Sequence, residues 1–395
     1  MLGMKKLRVL FLYPRTLDTE TSVGGVAEFL LKITTELPRF DIEPIIFAGN
    51  KHQNAITGPT FLENNIPVYT GRFVKPGFFI FKKKLQPILK LCKELQIDLT
   101  HAQGTYSAGF LSLQIYKNLQ IPYVVTSHSD ILSKNSKRIN RSNVQRRCRK
   151  ILNFAHGVTH LTPMMETVSN KLFDTTGKNF LIGNGIKLDE WKNVWNLPER
   201  DYLLTLGRLE VGKGFDVLIK MYAQLLATGI ETSLVIAGKG GAKKDLYSLT
   251  KSLGLNLVTE FSSVESLPKK SVIFTGYIRD EIKMQTIAQS KCILFATQPH
   301  LMEEAYGLVQ LETIAAGKAL LASDSSITQY LMSQGIKIIP VQADNCEAWK
   351  NKVYALLKNS SQRAELGKQN LQIAANFDWH PIARQYQDVY RRCLR

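Results

Sequence analysis

The sequence predicts an α/β protein of two doubly wound, Rossmann-like lobes facing each other across a cleft. Three observations carry this. Short apolar runs, many of them β-branched, alternate with stretches of helical periodicity; this is how parallel strands buried on both faces alternate with crossover helices. The alternation fades after residue 161 and restarts at residue 202. The 395 residues suffice for two to three domains.

The elements follow in order. Residues 7–13 form a first apolar strand, and 26–37 a helix. Strands are expected at 45–48, 98–102, 123–127 and 157–161, with helical patterns at 85–95 and 106–119 between them. Residues 187–200 are polar, with one proline and two tryptophans, and read as a linker. The second series has strands at 202–206, 233–237, 272–275, 292–296, 319–322 and 337–341, and a helix at 215–226. This divides the chain into residues 1–190 and 191–379. An amphipathic, aromatic terminal helix at about 380–395 is expected to pack back on the first lobe.

Composition narrows the class. The five cysteines, Cys92, Cys148, Cys292, Cys346 and Cys393, are scattered and form no C-x-x-C pair. This argues against a disulfide framework or zinc site and for a reducing compartment. No stretch approaches the ~20 apolar residues of a membrane span. A cytoplasmic protein, soluble or peripheral, is expected. The net charge of +18 is uneven: residues 51–150 hold 17 basic against 4 acidic residues, whereas 201–395 hold 23 against 18. A basic field confined to the first half implies an anionic partner.

Ligands of open parallel sheets bind beyond the carboxyl ends of strands, so motifs there matter most. In Glu304-Ala305-Tyr306-Gly307-Leu308-Val309-Gln310-Leu311-Glu312, two carboxylates stand eight positions apart, the first in a loop and the second in the helix that follows. A loop opening a helix turns N–H groups and a positive dipole end toward an anion such as a diphosphate. Carboxylates accept hydrogen bonds from sugar hydroxyls. The competing reading is two solvated helix glutamates. In Gly207-Arg208-Leu209-Glu210-Val211-Gly212-Lys213-Gly214, a glycine loop carries two cations directly after a strand. Arg208 can grip phosphate oxygens in a fork, Lys213 acts as a point charge, and together they would neutralise a departing diphosphate. The spacing is not that of a Walker loop. Ser22-Val23-Gly24-Gly25 lets backbone approach a ligand, and His101 and His128 each end an apolar run and are expected to face the cleft. A lone histidine is as readily a satisfied core residue. No Asp-x-Asp triplet occurs, so no metal is expected.

Taken together, Gly24-Gly25, the strand end at Thr126–Asp130, Ile182-Gly183-Asn184-Gly185-Ile186, Gly207-Arg208 through Lys213-Gly214, the E-x7-E segment and the closing Phe377–Trp379 resemble glycosyltransferase family 4, with the GT-B fold. The resemblance implies a retaining, metal-independent glycosyltransferase that moves a hexose-type sugar from a nucleotide-diphosphate-sugar, without a cofactor. It makes residues 1–190 the acceptor lobe and 191–379 the donor lobe. It implies that Arg208 and Lys213 hold the donor diphosphate, Glu304 the sugar hydroxyls and Glu312 the ribose. Amides at Gly307, Leu308 and Val309 would add contacts to phosphate or sugar, Gly25 would approach the phosphate, and His128 would position the sugar. The sequence departs from the family in Ala305, Tyr306, Lys318 and the stretch 323–329. Gln103 stands where a second histidine is frequent.

The expected acceptor is a sugar, glycolipid or lipid-linked sugar. Residues 74–84 set aromatics beside lysines, and 134–150 carry eight basic residues. Such segments suit an anionic bilayer surface at about 1 kcal/mol per basic residue, which would place the enzyme at the inner face of the cell membrane. A soluble anionic acceptor is the alternative. No nucleic-acid-binding module appears, so nucleic acid is not expected. A GT-B-shaped nucleotide-sugar epimerase is the rival activity. A nicotinamide dehydrogenase would need G-x-G-x-x-G after a strand, which is absent here.

Overall fold

In the computed structural model, which describes residues 6–17, 25–53, 55–62, 65–73, 81–132 and 138–395, the first apolar run becomes the central strand of a sheet. This strand, β1 (Leu7–Tyr13), buries Val9, Leu10, Phe11 and Leu12 completely. It runs parallel between β2 (Ile42–Gly49) and β5 (Leu99–Gln103). The other strands are β3 (Thr57–Phe61), β4 (Pro67–Gly71), β6 (Tyr123–Ser127), β7 (Gly157–His160) and β8 (Asn179–Leu181), in the order β3-β4-β2-β1-β5-β6-β7-β8. Among the described residues, only the exposed edge strand β3 is antiparallel. The helices are α1 (Gly25–Glu36), α2 (Phe81–Glu94), α3 (Ser107–Leu119), α4 (Ser142–Phe154) and α5 (Pro163–Phe173).

The second sheet is parallel throughout. Its strands are β9 (Tyr202–Leu206), β10 (Ser233–Ala237), β11 (Asn256–Val258), β12 (Ser271–Gly276), β13 (Cys292–Phe295), β14 (Leu320–Ser323) and β15 (Ile338–Val341), in the order β11-β12-β10-β9-β13-β14-β15. Its helices are α6 (Phe215–Leu226), α7 (Lys243–Ser252), α8 (Asp280–Ala288), α9 (Leu308–Ala315), α10 (Ser326–Ser333), α11 (Cys346–Lys358) and α12 (Ser360–Ala374). In each sheet the strand order reverses once, between β1 and β5 and between β9 and β13. These switch points are where adjacent loops leave in opposite directions and open a crevice.

The chain divides into two units, Met1–Gly185 with Trp379–Arg395, and Ile186–Asp378. The last helix, α13 (Trp379–Cys393), returns to the first unit. Trp379, Ile382, Ala383, Tyr386, Val389, Tyr390 and Cys393 form its buried stripe, at helical spacing. They join a core with Phe29, Ile33, Phe11 and Val124. Each large aliphatic or aromatic side chain among them, fully buried, contributes ~1.5–3 kcal/mol.

The segment read as a linker is built into the second unit instead. Trp191 and Val194 are buried, and the Trp195 indole donates to the Ala315 carbonyl at 2.8 Å. Glu199 accepts from Arg363 at 2.6 Å and faces Lys318 at 3.5 Å. Among the described residues, no helix is long and apolar enough to cross a membrane.

Candidate functional site

The second unit's switch point gathers the two strongest motifs. The loop after β9 carries Arg208 and Lys213, and the loop after β13 carries Glu304. The two loops are stitched together. Gln298 N–H donates to the Gly212 carbonyl at 2.7 Å. Gly214, at φ +73°, lies so close to β13's end that a Cβ there would stand 1.9 Å from the Ala296 carbonyl oxygen. Only glycine fits both that angle and that gap.

This packing delivers the Lys213 ammonium onto Glu304 Oε1 as a close ion pair, both side chains mostly buried. Thr297 Oγ1 donates to the same carboxylate oxygen at 3.0 Å. Arg208 takes another course: its guanidinium reaches Glu210 at 2.9 Å and is largely exposed. Backbone links the two, since Lys213 N–H donates to the Glu210 carbonyl at 3.2 Å.

Glu304 lies in the loop and Glu312 in the second turn of α9, so the two are not a pair of solvated helix glutamates. Glu312 is 5% exposed and accepts from Lys283 of α8 at 2.5 Å. Gly307, at φ +74°, precedes α9 with no side-chain cap, as Gly214 precedes α6. The first-turn N–H groups at Leu308 and Val309 thus meet no capping side chain, and the helix's positive end sits beside Glu304's loop.

In the first unit, Gly25 opens α1, while Ser22, Val23 and Gly24 lie outside the described residues. His128 stands one residue past β6, nearly buried, with Nε2 3.0 Å from Gln103 Oε1 at the end of β5. Phe29 of α1 meets its ring edge-on at 5.4 Å. Burial lowers the His128 pKa to about 4, so the imidazole is neutral at pH 7. Beside it, burial raises the Asp130 carboxyl pKa, and the Thr105 N–H bond at 2.6 Å partly opposes that.

The expectation for His101 is corrected. It lies inside β5, wholly buried, because the strand runs on to Gln103. Its ring bonds Tyr390 Oη at 2.7 Å and Thr126 Oγ1 at 2.6 Å. Sequence reasoning missed Thr297, Lys283 and the role of Gln103 as a partner. No spacing marks them, since each gains its place only through strand order.

Two family models cover most of the chain between them: Glycosyltransferase Family 4 matches residues 23–190, and Glycosyl transferases group 1 matches residues 188–372. The chain belongs to glycosyltransferase family 4. This glycosyltransferase is 27% identical to the alpha-monoglucosyldiacylglycerol synthase of Streptococcus pneumoniae, over 79% of this chain and 70% of the relative. It is 22% identical to a D-inositol 3-phosphate glycosyltransferase of Corynebacterium aurimucosum, over 93% and 90%. Its fold matches sucrose-phosphate synthase from Thermosynechococcus elongatus with a TM-score of 0.75 at 17% identity, covering 98% of both chains. It also matches Anabaena Alr3699/HepE in complex with UDP, with a TM-score of 0.74 at 17% identity, over 98% and 100%. The architecture is GT-B.

Proposed function

We propose that this glycosyltransferase moves a hexose-type sugar from a nucleotide-diphosphate-sugar to an acceptor, retaining the anomeric configuration and using no metal. The observation that carries the reading is the Lys213–Glu304 pair at the second unit's switch point. A cation and an acid held side by side match a ligand that joins a diphosphate to a polyhydroxylated ring. Lys213 and Arg208 are assigned to the diphosphate, with the amides from Gly307 to Val309. Glu304 is assigned to the sugar hydroxyls and Glu312 to the ribose. In the first unit, His128 is assigned to positioning the sugar, and the backbone at Gly25 to the phosphates.

In the transfer, the acceptor oxygen bonds to the anomeric carbon as the bond to the diphosphate breaks. The hydroxyl proton passes to a phosphate oxygen of the leaving group, so the protein supplies no base. Stabilising the charge that builds on the diphosphate is the protein's main contribution. Wild-type protein incubated with a panel of nucleotide sugars should release nucleoside diphosphate from at least one, with activity unaffected by chelator. Turnover of none, or turnover restored only by a divalent cation, contradicts the reading.

A second observation favours a membrane-linked acceptor. On α4, Arg146, Arg149 and Lys150 are exposed, and Phe154 at its end is exposed beneath Lys117. Residues 74–80 and 133–137, which belong to the same basic and aromatic segments, lie outside the described residues. Two relatives are an alpha-monoglucosyldiacylglycerol synthase and a GDP-mannose:cellobiosyl-diphosphopolyprenol alpha-mannosyltransferase, both named for lipid-linked sugars. We read α4 as part of a face that meets anionic lipid at the inner surface of the membrane. The protein should float with anionic vesicles at low salt and not with neutral ones; absence from the anionic fraction removes this second reading alone.

A further inference from the structure

In the parallel register of β5 and β6, Gln103 pairs with Thr126. His128 follows Thr126 by two residues and so leaves β6 on the same face. This places the carboxamide against the imidazole, with Oε1 3.0 Å from Nε2. Both residues are almost wholly buried. A carboxamide oxygen only accepts hydrogen bonds, so the nitrogen facing it must donate. We infer that Gln103 is a positioning residue, holding His128 as the neutral tautomer with its proton on Nε2 and its lone pair on Nδ1. This rests on the reading of His128 as the sugar-positioning group.

The surroundings agree. The Phe29 ring sits against the imidazole at an interplanar angle of 71° and fixes its plane, so the tautomer decides what the ring offers. With Nε2–H engaged, Nδ1 can only accept, which suits a hydroxyl donor and excludes a second acceptor. The imidazole is neutral at pH 7 because burial depresses it, so the choice between two neutral forms is what remains to be set. The Gln103 Nε2 atom is buried without a partner among the described residues. The amide's one formed side-chain bond is therefore the one to His128, and losing it costs that orientation without breaking another contact.

The test uses the full chain labelled with nitrogen-15 in histidine, the His128→Asn protein serving only to assign signals. Wild-type His128 should show the two nitrogen shifts of a neutral ring protonated at Nε2. Gln103→Met, close in shape but without the acceptor, should average or invert that pattern; Gln103→Leu is the second variant if the first melts early. Using the nucleotide sugar found to turn over, the variant should lose kcat about tenfold, the scale of one hydrogen bond, with the donor KM held within about twofold. A wild-type proton on Nδ1, a variant whose His128 signals do not move, or a changed tautomer with unchanged kcat would each overturn the inference. Absence of any turnover by wild type counts against the proposed function instead, and leaves the tautomer to be decided by the nitrogen shifts.

Discussion

His101 shows how a single buried side chain ties the end of the sequence to its beginning. Its two ring nitrogens bond Tyr390 Oη and Thr126 Oγ1, and Thr126 Oγ1 lies 2.6 Å from Thr159 Oγ1. Burial, with His128 nearby, pushes its pKa down to about 3, so the ring is neutral and both nitrogens need partners. Tyr390→Phe removes one partner and strands a buried nitrogen, which should cost about 1–3 kcal/mol. Denaturant melts should show an earlier midpoint for that variant; an unmoved midpoint would deny the ladder any energetic weight. The sequence could not reveal this residue's place. The apolar run ends at residue 102, and the partner that fixes His101 lies 289 positions away. Lys213 and Glu304 were legible because residue type and position after a strand both pointed the same way. That Lys213 meets Glu304 while Arg208 meets Glu210 depends on how two loops are stitched, which no linear pattern records.

At the scale of elements, legibility follows burial. Strands β9, β10 and β6 were read with the ends they have, because both their faces are covered and every residue is apolar or small. Strands β3, β4, β8 and β11 escaped notice. All five residues of β3 are exposed, and it contains Gly58 and Pro59; β8 and β11 have three residues each. The edge strands β3, β8 and β11 carry no hydrophobic period to read, and β4, beside β3, has only two buried residues among its five. Residues 187–200 misled for a different reason. Their charge suggested solvent, but Glu199 is matched by Arg363 and Lys318, and the two tryptophans turn inward or donate to backbone. The glycines of the loops after β9 and β13 were recognisable as turns, and the contact of Gly214 with the end of β13 explains why that turn admits no side chain.

At the scale of the whole molecule, the two units differ in how they should respond to acid. Burial lowers His101 to about 3 and His128 and His160 to about 4, all in the first unit. The second unit's one histidine is His300. Each buried ring is neutral when folded and gains a proton near pH 6.5 when unfolded. The unfolded chain therefore binds more protons below pH 6.5, and stability falls as pH drops toward the folded values, by at most ~1.4 kcal/mol per pKa unit for each group. Asp130, raised by burial, opposes this as a single group. In the second unit, Asp201 is held below its ordinary range despite the opposing effect of burial, by Lys291 and Thr232, and keeps its contribution to lower pH. Calorimetry between pH 6.5 and 4.5 should show the first unit's transition falling more steeply; equal shifts of both transitions would contradict the buried neutral histidines.

The two-lobed α/β plan was legible from the restart of the strand–helix pattern, and the placement of the candidate donor residues follows from it. Calorimetric titration with a nucleoside diphosphate tests that placement most directly, using wild type, Lys213→Ala and Glu304→Gln. Lys213 now faces both Glu304 and the proposed phosphate. Removing the cation should weaken diphosphate binding at least ~30-fold, whereas neutralising the acid should strengthen it about 3- to 10-fold, as about 1 kcal/mol of competing attraction is lifted. Equal affinity in all three proteins would contradict the account.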